Sequence, residues 1–212
     1  MKRIKIGSSI NRMSKKIRSG APWAKSIIVF TIESTDDADE LAVKRKDGQW
    51  DYPGYTPSYV IQRDIIIELN GKGFKAAVLP ELVPIKRIAV LAGIGAYAKN
   101  SMIISPKNGL WLRLAGVITD CVLEPDKSFE EDICKDCERC IRACPVNAIE
   151  PYVLDSLKCL VHVMEIENPD ATKKNLLIRY TPNLTPNTYR MCTVCQMICP
   201  FTSIERKRKV LR

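Results

Sequence analysis

Cys134-Lys-Asp-Cys137-Glu-Arg-Cys140-Ile-Arg-Ala-Cys144-Pro145 is the stretch on which the reading of this chain turns. Its spacing is C-x2-C-x2-C-x3-C-P. Two-residue gaps let a short loop wrap three thiolates around one [4Fe–4S] cubane, with free backbone amides directed at the sulfurs. The three-residue gap makes about one helical turn and aims the fourth thiolate away from that cubane. Pro145 stops the turn and redirects the chain.

A second, incomplete copy follows. Cys192-Thr-Val-Cys195-Gln-Met-Ile-Cys199-Pro200 repeats the last three positions and the proline, and Cys159, in Leu154-Asp-Ser-Leu-Lys-Cys159, supplies the leading one across an insertion of 32 residues. The spacing is that of bacterial two-cluster ferredoxins, in which the fourth cysteine of each run serves the other cluster. The expected ligand sets are therefore Cys134, Cys137, Cys140 and Cys199 for one cluster, and Cys144, Cys159, Cys192 and Cys195 for the other. Zinc favours two separated C-x2-C pairs, and disulfides need an oxidising compartment. Cys121 is left over and reads as a small apolar residue. Two cubanes held by crossed ligands lie close together, which makes an electron relay the natural inference. A bare ferredoxin of this type needs only about 80 residues, so the preceding 120 or so have another task.

Composition sets the frame for that task. The 212 residues are 46% apolar, which excludes wholesale disorder and suggests one to two domains. Thirty-three Lys and Arg against 24 Asp and Glu give +9. Residues 1–18 hold seven cations and no acid, and residues 205–212 hold five cations and one acid, which leaves the body at −2. Basic ends of this kind suit an acidic redox partner or RNA, or serve as solvated tails that keep the chain soluble. No stretch approaches a membrane span, and Met1–Gly20 lacks the apolar core of a secretory signal, so the chain is expected to be cytoplasmic.

Local patterns predict an α+β unit up to Asp120. A short basic helix is expected over 8–18. Ser26–Glu33 (SIIVFTIE) reads as a buried strand, and residues 34–55 as a surface loop or lid carrying Trp50, Tyr52 and Tyr55. Thr56 and Pro57 open a helix that runs to about Asn70, where Gly71 and Gly73 end it. A strand over Phe74–Leu79 and a helix over Ile85–Ala92 follow. Met102–Ser105 and Leu110–Thr119 are predicted to pair around a turn at Pro106–Gly109. The expected division is a basic segment 1–21, an α+β core 22–125, a ferredoxin-like module 126–204 and a basic tail 205–212.

Gly93-Ile-Gly95-Ala-Tyr-Ala98 matches G-x-G-x-x-G/A, but the β-leaning residues and Pro106 after it leave no room for the long helix of a dinucleotide site. The run PIKRIAVLAGIGAYAKNSMIISPKNGLWLRLAGVITD (residues 84–120), followed by the split double-cluster motif, resembles the family of epoxyqueuosine reductase and the reductive dehalogenases. Gly93, Gly95, Lys99, Asn100, Pro106, Gly109 and Thr119-Asp120 follow its pattern in order. The likeness extends over residues 22–204 and is densest from Leu79 onward.

The resemblance implies a nitroreductase-like, cobalamin-binding core fused to a double-cluster module. It implies single electrons passing from ferredoxin or flavodoxin through the clusters to a corrinoid, for a reductive elimination. It assigns Gly93, Gly95, Lys99 and Asn100 to cofactor binding, and Glu81, before Pro84, to the place of a proton-donating acid. The chain is expected to be a short, divergent member, without an extended N-terminal region or a C-terminal repeat domain for tRNA. An electron-transfer protein without substrate chemistry of its own is the competing expectation. His162 is open to metal ligation or to packing.

Overall fold

The computed structural model describes residues 5–7, 21–81, 83–166 and 168–201. The helix expected over 8–18 and the basic tail at 205–212 lie outside the described residues. In chain order the elements begin with β1 (Lys5–Gly7), β2 (Ser26–Glu33), a 3-10 turn (Asp37–Glu40), β3 (Leu41–Lys44), β4 (Trp50–Asp51) and a second 3-10 turn (Pro53–Tyr55). Then come α1 (Thr56–Gly71), β5 (Ala76–Val78), α2 (Ile85–Leu91), β6 (Ala96–Tyr97), β7 (Ile103–Ile104) and β8 (Leu112–Thr119). The cysteine-rich part adds α3 (Arg139–Ala143), β9 (Ile149–Glu150), β10 (Val153–Leu154) and α4 (Leu160–Val163). It ends with α5 (Ala171–Tyr180), β11 (Asn183–Thr185), β12 (Thr188–Arg190) and α6 (Val194–Met197).

These elements form two units interleaved in sequence. One gathers residues up to 33, 57–96 and 112–132, and the other gathers 34–56, 97–111 and 133 onward. The grouping is thus not a linear division of the chain, because segments 34–56 and 97–111 find their strand and hydrogen-bond partners beyond residue 133.

The first unit is built on an antiparallel sheet of order β1-β2-β8-β5. β2 and β8 pair along their whole length, from Ser26 opposite Thr119 to Glu33 opposite Leu112. Ile27, Ile28, Val29, Phe30 and Ile32 are all buried, as a β-branched run covered on both faces requires. Ile61 and Ile65 of α1 pack on Phe30, Ile32 and Ala115. Gly73, at φ +82°, closes the end of α1, with the Phe74 N–H bonded to the Leu69 carbonyl at 3.0 Å. At the centre of β8, the Gly116 carbonyl accepts hydrogen bonds from Leu79 N (3.0 Å) and Gln62 Nε2 (2.9 Å).

The second unit holds an antiparallel sheet of order β11-β12-β3-β4. Ala42 stands opposite Tyr189 and is fully buried with Met164 and Met191, against Trp50, Tyr52 and Leu177. The Asp170 side chain caps α5 by accepting from Lys173 N at 2.9 Å.

Two expectations are corrected here. Residues 34–55 are not a loop or lid: Leu41–Lys44 is a central strand, since Thr188–Arg190, far along the chain, supplies its hydrogen-bond partners. Met102–Ser105 and Leu110–Thr119 do not form a hairpin either. Only Ser105 and Gly109 bridge, while β7 turns back to β6 and β8 joins the large sheet between β2 and β5. In both cases a non-local partner outweighs the local turn.

Candidate iron–sulfur site

Each cysteine run folds into a tight turn followed by a short helix. Lys135 adopts φ +44°, which folds the loop so that Cys137 N donates to the Cys134 carbonyl at 2.9 Å. Cys140 lies in α3, and Cys144 ends that helix with extended backbone before Pro145. The second run repeats the plan: Cys195 lies in α6, and Cys199 and Pro200 follow it. Cys159 stands at the N-terminus of α4, and α3 packs on α6. Gln196 is buried and its Nε2 donates to the Leu110 carbonyl at 3.4 Å, which seats α6 and the cysteines on either side of it. A glutamine inside a C-x3-C gap carries no sequence signal for that role.

The sulfurs meet backbone N–H groups. Ala148 N donates to Cys144 Sγ at 3.3 Å. Ile141, Val194 and Phe201 supply backbone hydrogen bonds that favour the thiolates of Cys140, Cys192 and Cys199. Burial acts the other way and pushes these thiols up. It drives Cys195 up to about 12.

The mutual repulsion of the thiolates shows which sulfurs are neighbours. Cys199 feels Cys134, Cys140 and Cys137, and all four line one small pocket with Ala98, Asn100 and Leu110. Cys192 feels Cys159 and Cys144, and Cys195 feels Cys192 and Cys159. Cys195 also feels Cys140, so the two groups adjoin. Among the described residues, no group of His, Cys, Asp or Glu closes around a single metal ion. Two groups of four thiols, ringed by N–H donors, fit two [4Fe–4S] clusters, which would supply one-electron transfer.

The other expected site residues are placed as follows. Asn100 is 2% exposed and lies on the cysteine pocket, and it favours the Cys195 thiolate through its side chain. The Lys99 carbonyl accepts from Tyr152 N at 2.9 Å. Gly93, at φ +66°, closes α2: its N–H reaches the Val90 carbonyl and Ile94 N–H reaches that of Ala89, at 3.0 and 2.9 Å. Gly95 is buried beside it. Glu81 is exposed on the turn after β5, and His162 is exposed on α4. Trp50 and Tyr52 belong to the apolar cluster around Ala42. Cys121 is half-buried, away from both groups in sequence.

Residues 133–202 match the family model described as a 4Fe–4S double cluster binding domain. The chain is related in sequence to epoxyqueuosine reductases. It is 39% identical over 111 residues to that of Prochlorococcus marinus (strain NATL2A), a stretch that is 52% of this chain and 34% of the relative. The structure of epoxyqueuosine reductase from Streptococcus thermophilus superposes with a TM-score of 0.66, at 20% identity, over 92% of this chain and 54% of that one. A catabolic reductive dehalogenase superposes at 0.56 and 19% identity, over 89% of this chain and 28% of that one. At these identities the structural likeness is one of fold. The chain spans about a third of the matched sequence relative's length and about half that of the epoxyqueuosine reductase structure. Among the described residues, no helix is long and apolar enough to cross a membrane.

Proposed function

We propose that this chain is an iron–sulfur oxidoreductase that passes single electrons through two adjoining [4Fe–4S] clusters. The observation that carries this is that Cys199, far along the chain, lines one pocket with Cys134, Cys137 and Cys140, within residues that match a 4Fe–4S double cluster domain. In this reading Cys134, Cys137, Cys140 and Cys199 hold one cluster, and Cys144, Cys159, Cys192 and Cys195 the other. The protein's own work is to hold the thiolates, donate N–H bonds to sulfur and screen the clusters from water, which together set their potentials within the wide range open to such centres.

The proposed acceptor is a cobalamin held by a nitroreductase-like α+β core, with ferredoxin or flavodoxin as donor. The support is the likeness to epoxyqueuosine reductases and to a reductive dehalogenase whose structure is described as suggesting B12-dependent dehalogenation. A bound corrinoid would supply low-valent cobalt for a reductive elimination. Gly93, Gly95, Lys99 and Asn100 are the proposed cofactor contacts, and Glu81 is the proposed proton donor. One solved epoxyqueuosine reductase holds a tRNA stem loop, and the basic residues of 1–18 and 205–212 are the proposed RNA contacts here.

The test is a titration of anaerobically reconstituted protein with cob(II)alamin, followed by absorbance and EPR. Perturbation of the cobalt signal supports the acceptor. Clusters that are reducible without any corrinoid binding favour the second reading, an electron carrier without substrate chemistry. That reading has in its favour the exposed position of Glu81 and the structural roles of Gly93 and Asn100.

A further inference from the structure

We propose that the Asn100 carboxamide is a hydrogen-bond donor to sulfur at the cluster held by Cys134, Cys137, Cys140 and Cys199, and that it raises the reduction potential of that cluster. The inference rests on the two-cluster reading. Asn100 is among the most deeply buried polar residues, at 2% exposure. Its Oδ1 accepts from Met102 N at 3.3 Å, while its Nδ2 is buried with no partner of hydrogen-bonding geometry. A primary amide nitrogen carries two donors, and one left unmatched in the interior is costly. The side chain lies on the pocket formed by Cys134, Cys137, Cys140 and Cys199.

The backbone around Asn100 is held so that the amide is presented rather than free to turn away. Ala98 N donates to the Met102 carbonyl and Ser101 N to the Ala98 carbonyl, each at 2.8 Å. Tyr152 N donates to the Lys99 carbonyl at 2.9 Å, and Ser101 Oγ to the Tyr152 carbonyl at 2.7 Å. The turn is thereby fastened to the hairpin of β9 and β10 that follows Cys144. With Oδ1 committed to Met102, Nδ2 is the end left for sulfur. An N–H donor at sulfur favours the more negative, reduced cluster and so raises its potential.

The test compares the reconstituted full-length parent with Asn100→Leu and Asn100→Asp, measuring iron content and EPR-monitored redox titrations. The expected result is about eight irons per chain in all three and a lower midpoint for one cluster in both variants. At a fixed potential near the midpoint, the reduced-to-oxidised ratio of that cluster falls about tenfold, a shift of 59 mV for one electron. The fall is larger for Asp, which adds a negative charge. Full iron with unchanged midpoints overturns the role of Asn100 and leaves the clusters standing. A parent that takes up no iron overturns the cluster reading itself. Should a variant lose iron, the parent labelled with 15N at the asparagine carboxamide decides. Hyperfine coupling of that nitrogen to a reduced cluster supports the proposal, and its absence overturns it.

Discussion

Cys134 and Cys199 stand at opposite ends of the cysteine-rich segment and line the same pocket. The final cysteine of the second run is thereby delivered to the first. Removing either should strip the same cluster. Cys199→Ala is expected to lower bound iron from about eight to about four per chain, and Cys134→Ala with Cys199→Ala to lower it no further. Cys199→Ala with Cys192→Ala should abolish both clusters. Iron and sulfide analysis with EPR checks this, and additive losses for Cys134 and Cys199 would speak against crossed ligation.

Loss of metal should make the chain sensitive to alkali. Burial holds the Cys195 thiol up to about 12, against about 8.5 for a free cysteine, so the fold favours the neutral form. For such a group the stabilisation is full below about pH 8.5 and is lost as pH rises through about 12. Metal-free protein is therefore expected to unfold at progressively lower denaturant between pH 9 and 12. Metal-free Cys195→Ala should decline less steeply over the same window. Equal slopes for the two proteins would contradict the assignment.

Gly116 leaves little room for a side chain. A Cβ there would sit 3.0 Å from the Ile28 carbonyl oxygen and from Leu79 Cδ2, and 3.3 Å from Val29 Cγ2. The carbonyl belongs to the paired strand β2 and cannot give way without loss of the ladder. Gly116→Ala is expected to cost about 1–3 kcal/mol, read as a lowered thermal midpoint. Gln62→Leu, which removes a donor from the Gly116 carbonyl, should cost about 1 kcal/mol.

Tyr52 donates its hydroxyl to Glu165 within the second unit. Burial first, and that hydrogen bond second, push the phenol well above its ordinary value near 10. The neutral phenol is the favoured form, so its contribution is complete below about pH 10 and fades above it. Spectrophotometric titration of the seven tyrosines should show a late step that is absent from Tyr52→Phe. The substitution itself is expected to cost about 1 kcal/mol at neutral pH.

The residues of 26–33 and 56–71 show their structure in the sequence, because a β-branched run and a Thr-Pro start with glycine end act over neighbouring positions. The same holds for the two C-P runs, whose gaps fold one turn and one short helix each. Leu41–Lys44 carries no such mark. It becomes a strand only because Thr188–Arg190 returns to pair with it. Asn100, read from its neighbours as part of a cofactor turn, lies among the cysteines for the same kind of reason: its turn is bonded to Tyr152.

What the sequence determined by itself is therefore what short-range geometry governs: eight thiols at cluster spacing, the proline stops, and the separation of basic ends from an acidic body. Tertiary structure decided the rest. It divided the chain into interleaved units, paired Leu41–Lys44 with Thr188–Arg190, and laid Asn100 on the pocket lined by Cys134, Cys137, Cys140 and Cys199. Those placements depend on strand pairing and burial between residues far apart in the chain, which no local pattern encodes.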